Sequence, residues 1–372
     1  MEEVAPLTIV TDPEVVDLVV REAHPGVRAP VGGRIRRREE REAELHATLA
    51  PGATRPVGAG ERARAEEPDD FRVCFERDLD RIKHSRPWRR LAGKCQVFIA
   101  PEDDHLRTRL THAVEVAQVA TGIARIANLC VPLTDAIALA HDCGHGPAGH
   151  ASEEAFSPYL PDGGYDHAVY GADVTLEPLN LCRETLDGVR NHSWRRPPPA
   201  TPEGEVVAWA DRIAYVCHDF EDAVRAGILV PSDLPDEVAD VVGRKRSEQL
   251  GGFVHAVLDA IDRTGRVGMT ESAASALAAF RAFNFERIYL RPASRQQAAR
   301  VIALLRGLVD FFTDAPARMP SETTGVHADL VAGSTEAASV AVRYVSGMTD
   351  RYALALGVEL LGWRPEDLPR GV

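Results

Sequence analysis

The chain of 372 residues has few aromatic side chains, fewer basic than acidic side chains, and no long apolar run. Phe, Trp and Tyr make up 6% of the residues, and aliphatic and alanine-rich stretches dominate, which predicts a mostly α-helical protein. The net charge of −13 argues against a broad surface for nucleic acid or membrane lipid, but it is compatible with a local basic pocket. A membrane-spanning helix needs about 18 consecutive apolar residues or more, so no membrane partner is expected.

Cysteine is also sparse, and its spacing forms no metal or disulfide motif. The six cysteines are dispersed, without a Cys-x-x-Cys pair. Free thiols are therefore expected, whereas a zinc–thiolate site is not. The first residues, Met-Glu-Glu-Val-Ala-Pro, lack the basic start and apolar core of a signal peptide, which predicts a cytoplasmic protein.

Composition divides the chain into an N-terminal extension, residues 1–36, and a helical domain, residues 37–372. The extension has an apolar patch followed by a stretch rich in Pro and Gly, and helical composition begins after it. The chemistry-bearing residues fall in a core of about residues 105–225, and a second helical region follows at about 250–365. We expect an all-α fold, in which a helical bundle is extended by C-terminal helices.

Histidine is the residue type that is unexpectedly concentrated. Seven of the thirteen histidines lie between His105 and His192. Two imidazoles and two carboxylates in this part of the chain are the donors that a divalent-metal site with open coordination positions needs. Each of them alone would be better explained as a structural residue, but the four together favour a metal site for Mn, Mg, Fe, Co, Ni or Zn. They are His112, His141, Asp142 and Asp211.

The first of these ligands lies on a predicted helix over residues 107–128. Arg109 and Glu115 stand one turn to either side of His112. Because residues three apart share a face of a helix, we expect these polar groups to converge. Arg109 suits a phosphate, since its guanidinium offers forked donors. A surface ion pair with Glu102 or Asp103 is the alternative.

The other ligands follow from two further predicted helices. The first of these helices starts near Pro132, and His141 and Asp142 lie near its end. The other covers residues 203–225 and carries Asp211 on a polar stripe that continues through residues 215, 218, 219 and 222. This stripe is expected to face a polar cavity or solvent. Tyr215 and Asp219 would then contact a sugar, or simply belong to a solvated helix face.

The segment after His141 combines glycines with further histidines. Gly144, Gly146 and Gly149 are expected to permit a tight backbone path that turns His145 and His150 towards the metal. A histidine with a pKa near its ordinary value of about 6.5 can protonate a leaving oxygen at neutral pH.

Two more residues are candidates for this proton transfer. Glu153 is expected to hold the imidazole of His150 in its charged form, or it only supports the start of a helix. His167, which follows a glycine pair, is a candidate for a second proton-handling group at a pocket mouth.

Five stretches of sequence share the pattern of a known family. The signature of HD-domain phosphohydrolases is resembled by His112, His141-Asp142 and Asp211, in this order along the chain. The flanking sequence resembles the dGTP triphosphohydrolase branch of that family. The resemblance extends over about residues 37–361. The matching stretches are residues 75–85 (FERDLDRIKHS), 107–118 (RTRLTHAVEVAQ), 136–142 (AIALAHD, with Gly144-His145 and Gly149-His150 after it), 209–215 (WADRIAY) and 347–352 (GMTDRY).

This resemblance implies an HD-domain fold and hydrolysis of deoxynucleoside triphosphates to deoxynucleoside and inorganic triphosphate. It implies that the four ligands bind the metal and that His150 with Glu153 serves the departing 5′ oxygen. Arg109, His145 and His167 would contact the phosphates, and residues 215 and 219 the sugar. It also implies a homo-oligomer, often a hexamer, and a nucleotide or single-stranded DNA effector in some members.

Departures from the family pattern are few. Cys143 replaces a larger aliphatic residue, and Ala148 stands where Phe is common, which predicts looser packing behind the site. The extension has no counterpart. Two other functions stay open, namely a nucleotide-sensing or DNA-binding HD protein with vestigial or switched activity, and an HD phosphatase that acts on nucleoside monophosphates or cyclic nucleotides.

Overall fold

The computed structural model describes residues 23–24, 26, 32–99, 103–160, 164–320 and 330–369. The chain divides into two units, Met1–Arg37 and Arg38–Val372. Most of the first unit, residues 1–22, 25 and 27–31, lies outside the described residues, so the extension at residues 1–36 stays a prediction.

The second unit is built from α-helices, and its described part contains no β-strand, which confirms the all-α prediction. Fifteen α-helices are described there. They are α1 (Arg38–Thr48), α2 (Cys74–His84), α3 (Arg86–Arg90), α4 (Arg109–Ile126), α5 (Val131–Ala140), α6 (His150–Phe156), α7 (His167–Tyr170), α8 (Arg183–Asn191), α9 (Pro202–Arg225), α10 (Asp236–Val242), α11 (Arg246–Thr264), α12 (Glu271–Asn284), α13 (Pro292–Asp314), α14 (Thr335–Ser346) and α15 (Asp350–Leu361).

Two hydrophobic cores organise these helices. In the first core, α4, α5 and α9 pack against one another, and α2 and α8 pack against α5. In the second core, α13 packs against α6, α14 and α15. Helix α6 begins at His150 and contributes Phe156 to the second core, so the histidine-rich segment passes from one core to the other.

Helix termini follow local sequence signals. Thr108 caps α4, because its hydroxyl accepts a hydrogen bond from the backbone N–H of Thr111. Pro132 lies in the first turn of α5 as predicted, and Thr201 caps α9. All six cysteines are free and buried, as predicted. None of the described helices is long and apolar enough to cross a membrane.

A buried ion pair anchors the polar loop before α2. Arg62 Nη1 lies 2.6 Å from Asp78 Oδ1, and both side chains are almost completely buried. Asp78 also accepts hydrogen bonds from the Cys182 backbone N–H (2.8 Å) and the Thr185 hydroxyl (2.7 Å). Asp78 therefore ties the loop and α2 to the start of α8.

Loss of this carboxylate is expected to be costly. In Asp78→Ala the Arg62 guanidinium stays buried without its counter-charge, and we expect a loss of about 3–5 kcal/mol in the free energy of unfolding. Urea denaturation would measure it. The double variant Arg62→Met/Asp78→Leu should regain most of the loss, because it leaves no buried charge. A single variant as stable as wild type would contradict this role.

Candidate metal centre

The ends and midpoints of three packed helices bring the four proposed ligands together. His112 lies in the first turn of α4, His141 and Asp142 directly follow α5, and Asp211 lies in the middle of α9. His112 Nε2 is 3.1 Å from Asp211 Oδ1. His141 Nε2 is 3.5 Å from Asp142 Oδ1 and 3.7 Å from Asp211 Oδ1. The predicted convergence of these residues is what the structure shows.

The orientation of His141 fits a metal ligand. Its Nδ1 lies 2.7 Å from the carbonyl oxygen of Ala138, which can only accept, so Nδ1 carries the proton. The lone pair of Nε2 then points at the two carboxylates. This buried nitrogen has no hydrogen-bond partner among the described residues. Nitrogen and oxygen donors of His112, His141 and Asp211 within 4.8 Å of one another are a suitable set for a divalent cation.

Electrostatics keep the carboxylates ionised despite their burial. Burial opposes ionisation of Asp142, but the electrostatic effect of the His141 imidazole and of the Arg109 guanidinium outweighs it and holds the pKa of this carboxyl well below its usual range. Burial likewise opposes ionisation of Asp211, yet the hydrogen bond from His112 lowers its pKa. The centre therefore presents negative charge to an incoming cation.

Arg109 belongs to the centre, whereas Glu115 does not. Arg109 is buried, and its Nη1 lies 2.6 Å from Asp142 Oδ2. Its Nε has no partner among the described residues. Of its alternative partners, Asp103 lies near Arg225 instead, and Glu102 is outside the described residues.

The predicted convergence of Glu115 with Arg109 is wrong. Glu115 pairs with Arg107 at 2.7 Å and lies 3.2 Å from His218 Nδ1. At about 100° per residue, positions six apart diverge by about 120° around a helix. Both residues can adjoin His112, but they cannot meet each other.

A second cluster lies beside the metal ligands. Ligand-type atoms of His145, His150, Glu153 and His167 all lie within 4.8 Å of one another. The rings of His145 and His167 stack with 3.7 Å between centroids, and His145 Nε2 is 3.3 Å from Asp142 Oδ1. The cluster therefore joins the metal centre through Asp142.

The predicted pairing of Glu153 with His150 is wrong in detail. Glu153 Oε1 forms its hydrogen bond with His167 Nδ1 at 2.5 Å and also accepts from the His167 backbone N–H. Burial lowers the pKa of His167, but the bond and charge of Glu153 outweigh it, so this pKa is raised. The His150 side chain is exposed, yet desolvation by the surrounding protein atoms lowers its pKa to about 4. His150 is thus neutral at pH 7 in the ligand-free protein.

Sequence reasoning missed His192. It directly follows α8, as His141 directly follows α5, and its Nδ1 likewise lies 2.7 Å from a carbonyl oxygen three residues earlier, that of Val189. Its Nε2 lies 3.2 Å from His167 Nε2, and its ring centroid is 4.9 Å from that of His141. Its position directly after α8, which matches that of His141 after α5, was the available signal.

Comparisons with known proteins agree with this geometry. A model of the HD domain matches residues 109–216, and a model of the phosphohydrolase-associated domain matches residues 267–358. A relative from Caldanaerobacter subterraneus subsp. tengcongensis is 40% identical over 322 residues, which is 85% of this chain and 92% of the relative. Its name is deoxyguanosinetriphosphate triphosphohydrolase-like protein. The chain belongs to this family of HD-domain phosphohydrolases.

Two relatives of the same name come from clostridia. That of Clostridium perfringens strain SM101 is 37% identical over 78% of this chain and 87% of its own. That of Clostridium tetani is 35% identical over 83% of this chain and 91% of its own. The predicted resemblance is thereby confirmed at the level of the family.

The glycines between Asp142 and α6 allow neighbouring parts of the structure to approach the backbone closely. Gly149 has φ 60° and ψ −126°, a conformation open mainly to glycine. Gly144 has no such backbone, but an added Cβ would lie 2.0 Å from the carbonyl oxygen of His167. The segment between Asp142 and α6 therefore packs directly against the backbone of α7.

This close packing gives a stability prediction with an internal control. Gly144→Ala should lower the free energy of unfolding by about 3 kcal/mol, because backbone atoms must move apart. Gly122→Ala in α4, where a Cβ meets no atom within 4 Å, should instead raise it by up to about 1 kcal/mol. Urea denaturation of both variants measures the contrast, and equal stabilities would refute it.

The predicted polar stripe of α9 is mostly buried, not solvated. Asp219 is completely buried and accepts a hydrogen bond from the Tyr289 hydroxyl, while its Oδ1 has no partner among the described residues. Tyr215 stacks on Tyr289 with 5.7 Å between centroids. Asp222 and His218 pair with the side chains of α4 and its N-terminal flank. Tyr289, which sequence reasoning did not single out, lies in a π-helical turn after α12.

Asp219 is expected to make stability depend on pH. Burial raises its pKa from 3.8 to about 7, so the folded protein keeps a proton that the unfolded chain has lost between these values. This contribution to stability is present below about pH 4 and is lost as pH rises through 7. Asp219→Asn should flatten that fall in metal-free urea denaturation series. An identical pH dependence in both proteins would count against the raised pKa.

Proposed function

We propose that this protein is a metal-dependent triphosphohydrolase that converts deoxynucleoside triphosphates, dGTP alone or several, to deoxynucleoside and inorganic triphosphate. The observation that carries the proposal is the contact between Arg109 and Asp142. It places a buried guanidinium, whose Nε has no partner among the described residues, beside the proposed cation position, so one phosphate group can reach both. The names of the relatives support the choice of substrate class.

The four ligands have one role in this proposal. His112, His141, Asp142 and Asp211 hold the divalent ion, and the donor set is compatible with Mn, Mg, Fe, Co, Ni or Zn. A bound ion would polarise a phosphoryl oxygen and lower the pKa of water. Arg109 is fixed by Asp142 and donates its free N–H to a phosphate oxygen. His145 and His167 lie close enough to Asp142 to contact the same phosphates.

Bond changes in the reaction involve the α-phosphorus. A water oxygen forms a bond to this phosphorus, the bond to the 5′ oxygen breaks, and the 5′ oxygen takes up a proton. His150 is the member of the histidine cluster that is open to solvent, and we assign it this proton transfer. Its pKa is low in the free protein because the surrounding protein atoms partly desolvate the cation, and entry of a triphosphate anion raises it again. Glu153 acts through His167, which it orients and whose protonated form it favours.

The remaining assignments concern the sugar and the assembly. Tyr215 and Asp219 are proposed to contact the deoxyribose, with the unpartnered Oδ1 of Asp219 as acceptor. A homo-oligomer such as a hexamer, a nucleotide or single-stranded DNA effector, and a cytoplasmic location remain predictions from the resemblance and from the sequence.

A product screen tests the proposal. Purified protein is incubated with each dNTP and each of Mn, Mg, Fe, Co, Ni and Zn, and the products are separated by ion exchange. We expect triphosphate and deoxynucleoside in equal amounts. In a parallel screen of nucleoside monophosphates and cyclic nucleotides, release of orthophosphate or ring opening, without triphosphate from dNTPs, would replace the proposal with a phosphatase of another kind. No turnover, together with a rise in melting temperature with dNTPs, would replace it with a nucleotide sensor.

A further inference from the structure

The stretch GMTDRY, residues 347–352, has no part in the proposed function, yet one of its side chains bonds to the histidine segment. Asp350, the first residue of α15, is buried and uses both of its carboxylate oxygens. Its Oδ1 accepts a hydrogen bond from the backbone N–H of Ala148 at 2.9 Å, and its Oδ2 accepts one from that of Cys95 at 2.9 Å. A single carboxylate therefore joins α15 to two segments that are far apart in the chain.

The first of these segments is a turn with an unusual backbone. Ala148 has φ 59°, a left-handed conformation that is unfavourable for a residue with a Cβ, and Gly149 follows with φ 60°. His150 begins α6 directly after this turn, so the two backbone conformations set where its imidazole lies. A non-glycine residue keeps such a conformation only where its surroundings hold it. The bond from the Ala148 N–H to Asp350 is a contact of this kind.

The second segment leads into α4. The carbonyl oxygen of Lys94 accepts a hydrogen bond from the backbone N–H of Arg109 at 2.9 Å. The Arg109 guanidinium packs against the turn itself, because a Cβ added to Gly149 would collide with it. Asp350 thus holds the turn on one side and the segment that fixes the start of α4 on the other.

A buried ammonium group supports the same arrangement. Lys94 Nζ donates hydrogen bonds to the carbonyl oxygens of His145 and, at 3.0 Å, of Ser346 at the end of α14. Residues 145–148 are therefore bonded at both ends to side chains that belong to the α14–α15 junction or contact it. The backbone before His150 has partners outside its own segment.

We propose that Asp350 is a positioning residue for hydrolysis. Through the turn at Ala148 it holds the imidazole of His150 in place relative to Arg109, so that a phosphate bound by the guanidinium presents its 5′ oxygen to the imidazole. This inference rests on the proposed function, in which Arg109 binds a phosphate and His150 transfers the proton. Loss of the carboxylate should then slow the chemical step more than it weakens substrate binding.

Steady-state kinetics of Asp350→Asn tests this role, because the amide has the shape of the carboxylate but only one acceptor oxygen. A displacement of about 1 Å can slow a reaction about 100-fold, so we expect kcat to fall by about 10- to 100-fold. KM should change by less than about threefold, since Arg109 keeps its bond to Asp142. The matched control is Asp262→Asn at an exposed position on α11, which should leave both constants unchanged. An unchanged kcat, or a loss confined to KM, would overturn the proposal.

A second substitution tests whether Asp350 acts through the turn. Glycine adopts a positive φ without the penalty of a Cβ, so Ala148→Gly should raise kcat at least about threefold in the Asp350→Asn background and change it little in wild type. A carboxylate with only a general structural role would give the same loss in both backgrounds. That result would overturn the proposal.

Two measurements on the full-length protein with Mg²⁺ need no turnover. Hydrogen exchange at the Ala148 amide should be as slow as in α15 for wild type, and at least about 10-fold faster in Asp350→Asn. The His150 ring lies 5.1 Å from the His145 ring, so its ¹H–¹³C NMR signal should shift in Asp350→Asn and return in the double variant with Ala148→Gly. His150→Ala assigns that signal.

These measurements separate the positioning role from the proposed function. Fast exchange at Ala148 in wild type would overturn the role of Asp350, and this result requires no variant to fold. An unmoved His150 signal in Asp350→Asn would overturn it as well, even if dNTPs are hydrolysed. A wild-type protein that hydrolyses no dNTP would refute the proposed function, whereas slow exchange and the expected shift would still support the hold of Asp350 on the turn.

Discussion

Replacement of Asp211 by alanine is expected to remove both the bound metal and the hydrolysis of dNTPs. Asp211 Oδ1 lies near both His112, at 3.1 Å, and His141, at 3.7 Å. Without it the remaining donors, two imidazoles and one carboxylate, lose the oxygen that both imidazoles face, and we expect the cation to bind much more weakly and to be lost on purification. We expect turnover to fall by about three orders of magnitude or more. Metal content by mass spectrometry and triphosphate release are the two measurements.

A second aspartate provides the control. Asp240 is exposed on α10, and Asp240→Ala should keep full metal content and full rate. An Asp211→Ala protein that retains stoichiometric metal would show that the ligand set is wrong. One that loses metal but still hydrolyses dNTPs would show that catalysis does not need the centre.

Replacement of His150 by alanine is expected to separate metal binding from catalysis. His150 belongs to the cluster beside the ligands but forms no contact with His112, His141 or Asp211, so the metal should stay. Loss of a general acid typically slows a reaction by about 10²–10⁴-fold, and we expect a decrease in kcat of that order. Steady-state kinetics and metal analysis measure the two effects, with His84→Ala, at an exposed position on α2, as control.

The rates of His167→Ala and Glu153→Gln, compared with that of His150→Ala, show which histidine transfers the proton. Because Glu153 bonds to His167, a chain in which His167 donates the proton would lose more rate in His167→Ala and Glu153→Gln than in His150→Ala. Full activity in His150→Ala would remove its assignment. The opposite order, with His150→Ala the slowest, supports proton transfer at the exposed imidazole.

The meeting of the proposed metal ligands could be predicted from the sequence because each lies on, or directly after, a helix that the sequence indicates. His141 and Asp142 follow a helix whose start and apolar run can be recognised in the sequence. Asp211 lies on a long helix with a clear polar stripe. The same reasoning failed where a contact depends on the rotation of a side chain. Glu153 lies one turn from His150, yet its carboxylate turns to His167, which a separate helix brings within reach.

Other parts of the site depend on segments far apart in the chain. Tyr289 forms a hydrogen bond with Asp219, which lies 70 residues earlier in the chain. The periodicity of neither helical segment predicts that contact. Burial of the α9 stripe has the same origin, since α4, with its N-terminal flank, and the turn after α12 supply partners that a helical wheel does not include.

Hydrolysis of dGTP in water enriched in ¹⁸O, followed by ³¹P NMR and mass spectrometry, tests the central claim most directly. If water attacks the α-phosphorus, one labelled oxygen appears at a terminal phosphate of inorganic triphosphate, and the deoxynucleoside carries no label. The signal should vanish in EDTA and return with the metal. Label in the deoxynucleoside, or orthophosphate as the released product, would contradict the account.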